Sequence, residues 1–391
     1  MKYYKTNRII LFLSLMPIIL FSKMTFKERF TFLRRGAKTH LLLPEKSIKR
    51  IGCSFEEINK QRRLFGYDLG IEYQYGCGHR YHKTQHRAIL YLHPWGIFGI
   101  PHKGSADLLR YYHVLPGDVI VFNFPDGGWR NKFPLSYSSF GQLSDILPAI
   151  YVLYYAYENF GLEAVDLFGY SRGGAVAINM IAVLYDKTGQ YDNQLAYIGI
   201  DVNKRMKLLE IIQRGSVVLN CPLADTNATF NMYSTRIKDF LYRITQYQTD
   251  GLQAIESAQL LKGLKLNVLI HYQYNDRRVF NIKDAEFYVI FKQLNPETTY
   301  LVLGNDGGHV HTQRALASTI HVFYKKIGGA YDPLWMQKKG IDTTIELLQP
   351  DYNQAAKVIG DYYSLCEQIE KKVKTVKEKG RDLDLVLSAE A

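Results

Sequence analysis

The chain has 391 residues, of which 47% are hydrophobic and 22% charged, with 30 Gly and 12 Pro. That excludes a disordered, collagen-like or low-complexity polymer and allows one large domain with appendages. Four Cys without a CxxC pair exclude a disulfide framework and a two-knuckle zinc module, and of the net charge of +12 the share in residues 1–60 is +9 (13 Lys/Arg against 4 Glu), which leaves no groove-wide positive field for nucleic acid and makes a membrane surface the expected acidic partner.

Residues 1–22 open with Lys2, Lys5 and Arg8, followed by an apolar run, Ile9–Phe21, interrupted only by Ser14 and Pro17. The run is shorter than the roughly 17 to 25 residues that span a bilayer and matches the apolar region of an export signal. Its small-residue cleavage site is poor, and Lys27, Arg29, Arg34, Arg35 and Lys38 follow at once; positive charge there tends to stay cytoplasmic. The segment reads as an export signal or a membrane-surface anchor, with a packed N-terminal segment as the structural alternative. Residues 23–65 form a basic extension.

From 66 to 326, short apolar or β-branched runs alternate with helical patterns, which predicts an α/β fold with a mostly parallel sheet covered by helices on both faces. The predicted strands are Ile71–Tyr75, Ala88–His93, Asp118–Phe124, Ala164–Phe168, Ser216–Leu219, Asn267–Tyr272 and Thr299–Leu303. Between the first two, Cys77 is followed by His79, His82 and His86; this spacing fits no standard zinc module, and the stretch reads as a polar hairpin loop. No metal and no cofactor is assigned. The second strand runs out into His93-Pro94-Trp95-Gly96-Ile97-Phe98-Gly99. Pro94 has no N–H, which leaves Trp95 or Gly96 as the first backbone donor of that loop.

Strand Ala164–Phe168 leads directly into Gly169-Tyr170-Ser171-Arg172-Gly173-Gly174 and then into a helical pattern over Ala175–Tyr185. GxSxG between a strand and a helix is a nucleophile elbow, in which small neighbours let the serine occupy a strained turn. A serine hydroxyl needs a base, and the base needs an acid to orient it. Asp276 follows strand Asn267–Tyr272 and is the candidate acid, with Asp225 after the preceding strand as fallback. His309, in Gly307-Gly308-His309-Val310-His311 after strand Thr299–Leu303, is the candidate base, with His311 beside it. The order Ser171, Asp276, His309 is that of a serine, acid, histidine triad. Acyl transfer also requires N–H donors for the developing oxyanion; the backbone N–H groups of Arg172 and Trp95 are the candidates.

These segments, His93-Pro94-Trp95-Gly96, Gly169 to Gly174, Asp276 and Gly307-Gly308-His309, make residues 66–326 resemble the α/β-hydrolase superfamily. Pro94 stands where members usually carry Gly. The resemblance implies a serine hydrolase acting on an ester, thioester or amide, and the superfamily also contains non-enzymes, so a catalytically inactive binding or membrane-interaction module is the alternative. Tyr170, Phe98 and Trp129 are expected to contact substrate. Together with Trp95 and Phe124, and with Phe230, Tyr233 and Phe240 of a candidate cap over 224–264, they predict an apolar acyl or aromatic substrate. Residues 327–391 read as a helical extension, with Leu365, Ile369, Val373 and Val376 on one stripe.

Overall fold

The computed structural model describes residues 54–58, 69, 71–75, 86–94, 118–124, 141–226, 252–273, 282–304, 313–328, 337, 344–350 and 354. Its strands are β1 (Ser54–Ile58), β2 (Ile71–Tyr75), β3 (Arg87–Leu92), β4 (Asp118–Val121), β5 (Ala164–Tyr170), β6 (Val217–Asn220), β7 (Val268–Gln273) and β8 (Thr299–Gly304). The described helices are α1 (Leu143–Phe160), α2 (Arg172–Tyr185), α3 (Asp192–Tyr197), α4 (Val202–Gln213), α5 (Ala254–Leu260), α6 (Ile282–Leu294) and α7 (Gln313–Lys326).

The strands form one sheet in the order β1-β2-β4-β3-β5-β6-β7-β8. β2 runs antiparallel to β1 and β4, and from β4 to β8 every neighbouring pair is parallel. This is the α/β-hydrolase fold. Every residue of β3, β4, β5 and β6 is buried, as expected of parallel strands covered on both faces. The core is correspondingly rich in Val, Ile and Leu, and α2 is buried along nearly its whole length against β3, β5 and β6.

The sheet departs from the sequence expectation in three places. β1 lies in the segment assigned to the basic extension, so the sheet begins before residue 66. β4 leaves the ladder after Val121; the Asn123 N–H donates instead to the carbonyl of Leu69 at 2.7 Å. β5 continues past Phe168, because Gly169 and Tyr170 still pair with Leu219 and Asn220 of β6.

Of the candidate cap, α5 packs on α2 and α6, and residues 227–251 lie outside the described residues. Within the C-terminal extension, residues 344–350 run extended beside β8: Leu301 and Leu348 exchange both backbone hydrogen bonds, at 2.8 and 2.9 Å. That bridge covers part of an edge strand, which would otherwise present unpaired backbone. The expected helix over 365–376 and the N-terminal apolar run lie outside the described residues. Among the described residues, no helix is long and apolar enough to cross a membrane.

At the N-terminal ends of the central strands a buried polar cluster closes the sheet. Arg87 of β3 donates from Nε and Nη2 to both oxygens of Asp166 on β5, each at 2.5 Å. Ser216 Oγ donates to Asp166 Oδ1 at 2.6 Å and, its one proton so used, accepts from the Tyr324 hydroxyl at 3.2 Å. Burial opposes the Arg87 charge, yet the Asp166 carboxylate and its hydrogen bonds outweigh it and hold the guanidinium pKa above its ordinary value.

Candidate active site

The C-terminal ends of β3, β4, β5, β6, β7 and β8 share one edge of the sheet, the edge where open α/β sheets bind ligands. Ser171 stands there, between β5 and α2, with φ 54° and ψ −118°. Among the described residues, only Ser171 and Cys221 are non-glycine residues at positive φ. Such a conformation costs about 1–3 kcal/mol and persists only where the surroundings enforce it.

The surroundings here are three glycines and one loop. A Cβ on Gly169 would lie 2.5 Å from the Gly173 carbonyl oxygen, one on Gly173 1.8 Å from the Leu92 carbonyl oxygen, and one on Gly174 2.6 Å from Pro222 Cβ. Side chains at these positions are therefore excluded, and their absence lets α2 start directly against β3 and the loop after β6. That loop holds the serine from both sides. The Ser171 N–H donates to the Asn220 carbonyl at 2.9 Å, and the Ser171 carbonyl accepts from Leu223 N–H at 3.1 Å and Gly174 N–H at 2.9 Å. Cys221, at φ 44°, turns the loop and donates its N–H to the His271 carbonyl at 2.7 Å.

Beneath the serine, Asn220 and His271 sit opposite each other on β6 and β7, and His271 Nδ1–H donates to Asn220 Oδ1 at 2.9 Å. His271 is completely buried, and burial pushes its pKa down to about 3, so the ring is neutral at ordinary pH. Sequence reading did not find this pair; only strand register brings the two residues together.

The side chain of Arg172 is fully buried. Its guanidinium carbon lies 4.6 Å from the ring centroid of Phe124, and Nη1 is 3.9 Å from Asp145 Oδ1. Asp145 belongs to the first turn of α1, where the helix dipole favours a carboxylate, and its Oδ2 accepts the Gly141 N–H at 3.0 Å. A desolvated cation over an aromatic face is worth about 2 kcal/mol. Phe124 also meets His93, with ring centroids 4.6 Å apart. The Phe124 N–H donates to His93 Nε2 at 3.4 Å. Nδ1 therefore carries the ring proton and donates to the Pro94 carbonyl at 2.9 Å.

Ser171, Arg172 and Tyr170 thus sit together at the elbow. Tyr170 is the last residue of β5 and packs in the core cluster. Phe124 is completely buried, below any surface a substrate reaches, and serves as packing for Arg172 and His93 rather than as pocket wall. Asp225, half-buried, follows β6 in a loop joined to α5 by the Ile255 N–H to Ala224 carbonyl bond at 3.0 Å. β7 and β8 end on this edge; Asp276 and His309, which follow those strands in the sequence, lie with His311, Trp95, Phe98 and Trp129 outside the described residues. Among the described residues, no cluster of His, Cys, Asp and Glu could hold a metal ion.

No family model and no curated protein sequence matches the chain. Among solved structures, an esterase of Pyrococcus furiosus, Pf2001, aligns at 14% identity over 71% of this chain and 94% of that one, with a TM-score of 0.45. A membrane phospholipase A described as a bacterial virulence factor aligns at 13% identity over 84% and 98%, with a TM-score of 0.42. An acylaminoacyl peptidase of Pyrococcus horikoshii aligns at 13% identity over 72% of this chain and 43% of that one, with a TM-score of 0.48. Strand order and register, rather than these alignments, define the fold.

Proposed function

We propose that the chain is a serine hydrolase that cleaves an ester, thioester or amide through an acyl-enzyme. The observation that carries this reading is the backbone of Ser171, held at φ 54° on the ligand-binding edge of the sheet by close-packed glycines and by hydrogen bonds on both its N–H and its carbonyl. Folds retain strain of this kind where a side chain must be presented for chemistry.

In this reading Ser171 Oγ attacks the substrate carbonyl while His309 takes its proton, and Asp276 holds the imidazole in the required tautomer. The oxyanion is met by the N–H groups of Arg172, at the start of α2, and Trp95. The contact between Leu92 and Gly173 supports that pairing, since it presses the exit of β3 against the residue next to Arg172. His309 then returns the proton to the leaving group, and water attacks the acyl-enzyme by the same steps.

The substrate class follows from the aromatic residues of the post-strand loops, Trp95, Phe98 and Trp129, with Tyr170 at the elbow, which favour an apolar acyl or aromatic portion. Each buried methylene contributes about 0.8 kcal/mol, so kcat/KM on p-nitrophenyl esters rises several-fold per carbon from acetate until the pocket is full. A flat or falling series removes the apolar-acyl assignment. Ser171→Ala lowers kcat by roughly four orders of magnitude or more; retained turnover in a folded variant removes the serine mechanism. The apolar run Ile9–Phe21 with its basic flanks would hold the enzyme at a membrane surface, and deleting residues 1–22 then reduces recovery with membranes while activity persists.

A further inference from the structure

We propose that Asn220 and His271, a buried polar pair beside the elbow, are positioning residues that hold the nucleophile Ser171 and the backbone donor next to it in their working geometry. The proposal rests on the serine-hydrolase reading above and deepens it.

Strand register brings the pair to the serine. Tyr170, the last residue of β5, pairs with Asn220 at the end of β6, and Asn220 pairs with His271 on β7, so the row Tyr170, Asn220, His271 crosses the sheet one residue before Ser171. The residues that precede the pair on its strands are apolar, Val217–Leu219 and Val268–Ile270. An aliphatic pair at 220 and 271 would continue that pattern without the cost of desolvating an amide and an imidazole. Both side chains are instead polar and buried, and they meet each other: His271 Nδ1–H donates to Asn220 Oδ1 at 2.9 Å.

His271 grips the turn after β6 twice. Its side chain holds that of Asn220, and its carbonyl accepts the Cys221 N–H at 2.7 Å. The other end of that peptide unit, the Asn220 carbonyl, accepts the Ser171 N–H at 2.9 Å. A peptide unit is planar, so one plane joins His271 to the nucleophile. Cys221, at φ 44°, then turns the chain back until the Leu223 N–H reaches the Ser171 carbonyl at 3.1 Å, where the Gly174 N–H also donates. That carbonyl shares a peptide unit with the Arg172 N–H, so holding the one fixes the direction of the other. The turn anchored by the pair thus steers both Ser171 and its neighbouring donor. Positive φ at Ser171 persists only while its surroundings enforce it, and a misplacement of about 1 Å at a reacting group costs about 10²-fold in rate. Loosening the anchor therefore slows the chemical step and leaves ground-state binding nearly untouched. Neither the amide nor the imidazole reacts.

The test uses the full-length protein and four variants, His271→Phe, Asn220→Leu, the double variant and His271→Asn. Sites are counted by fluorophosphonate titration, and urea midpoints report stability. The readouts are kcat and KM on p-nitrophenyl butyrate and the rate constant of fluorophosphonate labelling. His271→Phe and Asn220→Leu should each lower kcat per titrated site 10- to 100-fold, with KM within about twofold and labelling slowed in step with kcat. Each single variant leaves one buried polar group without its partner, whereas the double variant removes both, so its urea midpoint should exceed that of the less stable single one. Its kcat should stay as low as theirs. His271→Asn, which keeps an N–H donor for Asn220 Oδ1, should recover part of the loss. Where a single variant fails to fold, the double variant and His271→Asn decide. Folded variants with wild-type kcat and labelling rate, or a double variant whose kcat returns together with its stability, overturn the positioning role while the hydrolase reading stands. A folded wild-type protein that neither labels nor cleaves the ester overturns both.

Discussion

The carbonyl oxygen of Leu92 lies so close to the Cα of Gly173 that a Cβ there would stand 1.8 Å from it. Both partners are backbone, so neither can rotate away, and Gly173→Ala must push the exit of β3 away from the start of α2. The expected cost is about 3 kcal/mol or more, with kcat in any folded fraction reduced at least 100-fold because the two candidate oxyanion donors move apart. Thermal melting and ester turnover read the two effects. A variant with wild-type melting temperature and turnover contradicts the packing described for the elbow.

His271 predicts a pH dependence. Burial holds its folded pKa at about 3, against about 6.5 in an unfolded chain. Between those values the unfolded chain binds a proton that the folded one does not, so stability is full above about 6.5, falls as pH drops toward 3 and levels off below. His271→Asn keeps an N–H donor for Asn220 Oδ1 and removes the titration. Urea midpoints measured from pH 7 to pH 4 should therefore decline less in the variant; an identical decline contradicts a buried neutral imidazole.

The Arg87–Asp166 pair lies at the opposite end of the strands from Ser171. Removing one partner leaves a buried charge without its counterpart, and Arg87→Met or Asp166→Asn should cost about 3–5 kcal/mol. Because the cluster bonds to Ser216 and Tyr324 and not to the elbow, kcat of the folded fraction should stay within about twofold. Denaturant unfolding alongside turnover tests this, and a large kcat loss in a stable variant would show coupling to the active site.

Most of the sheet and the elbow were readable because they rest on local chemistry. Val217–Leu219 is a continuous apolar run, as a strand buried on both faces must be, Val165–Phe168 is broken only by Asp166, which Arg87 meets, and the glycines around Ser171 are required by contacts too short for a side chain. β1 was missed because Ser54-Phe55-Glu56-Glu57-Ile58 places two charges in the middle of a short edge strand and shows no apolar run. The 344–350 segment makes one bridge and carries no periodic signal. The contacts of Phe124 with Arg172 and His93 were not readable, since the sheet alone brings together residues so distant in sequence. A long charged side chain such as Arg172 reads as surface; it is buried here because Phe124 and Asp145 meet it.

The triad assignment separates two neighbouring histidines. His309→Ala should lower kcat by roughly four orders of magnitude, with the Ser171→Ala/His309→Ala double variant little worse than either single one, since the groups act as a unit. His311→Ala should remain within a few-fold of wild type. The reverse pattern moves the base to His311, and additive losses contradict a shared catalytic unit.

The central claim, that Ser171 is an activated nucleophile, is tested most directly by treating the folded protein with a fluorophosphonate and locating the adduct by mass spectrometry of its peptides. One phosphonylated residue per chain is expected, on the peptide carrying Gly169-Tyr170-Ser171-Arg172, with no labelling of the folded Ser171→Ala variant. A folded wild-type protein that takes up no label, or a Ser171→Ala variant that labels at the wild-type rate, would contradict it.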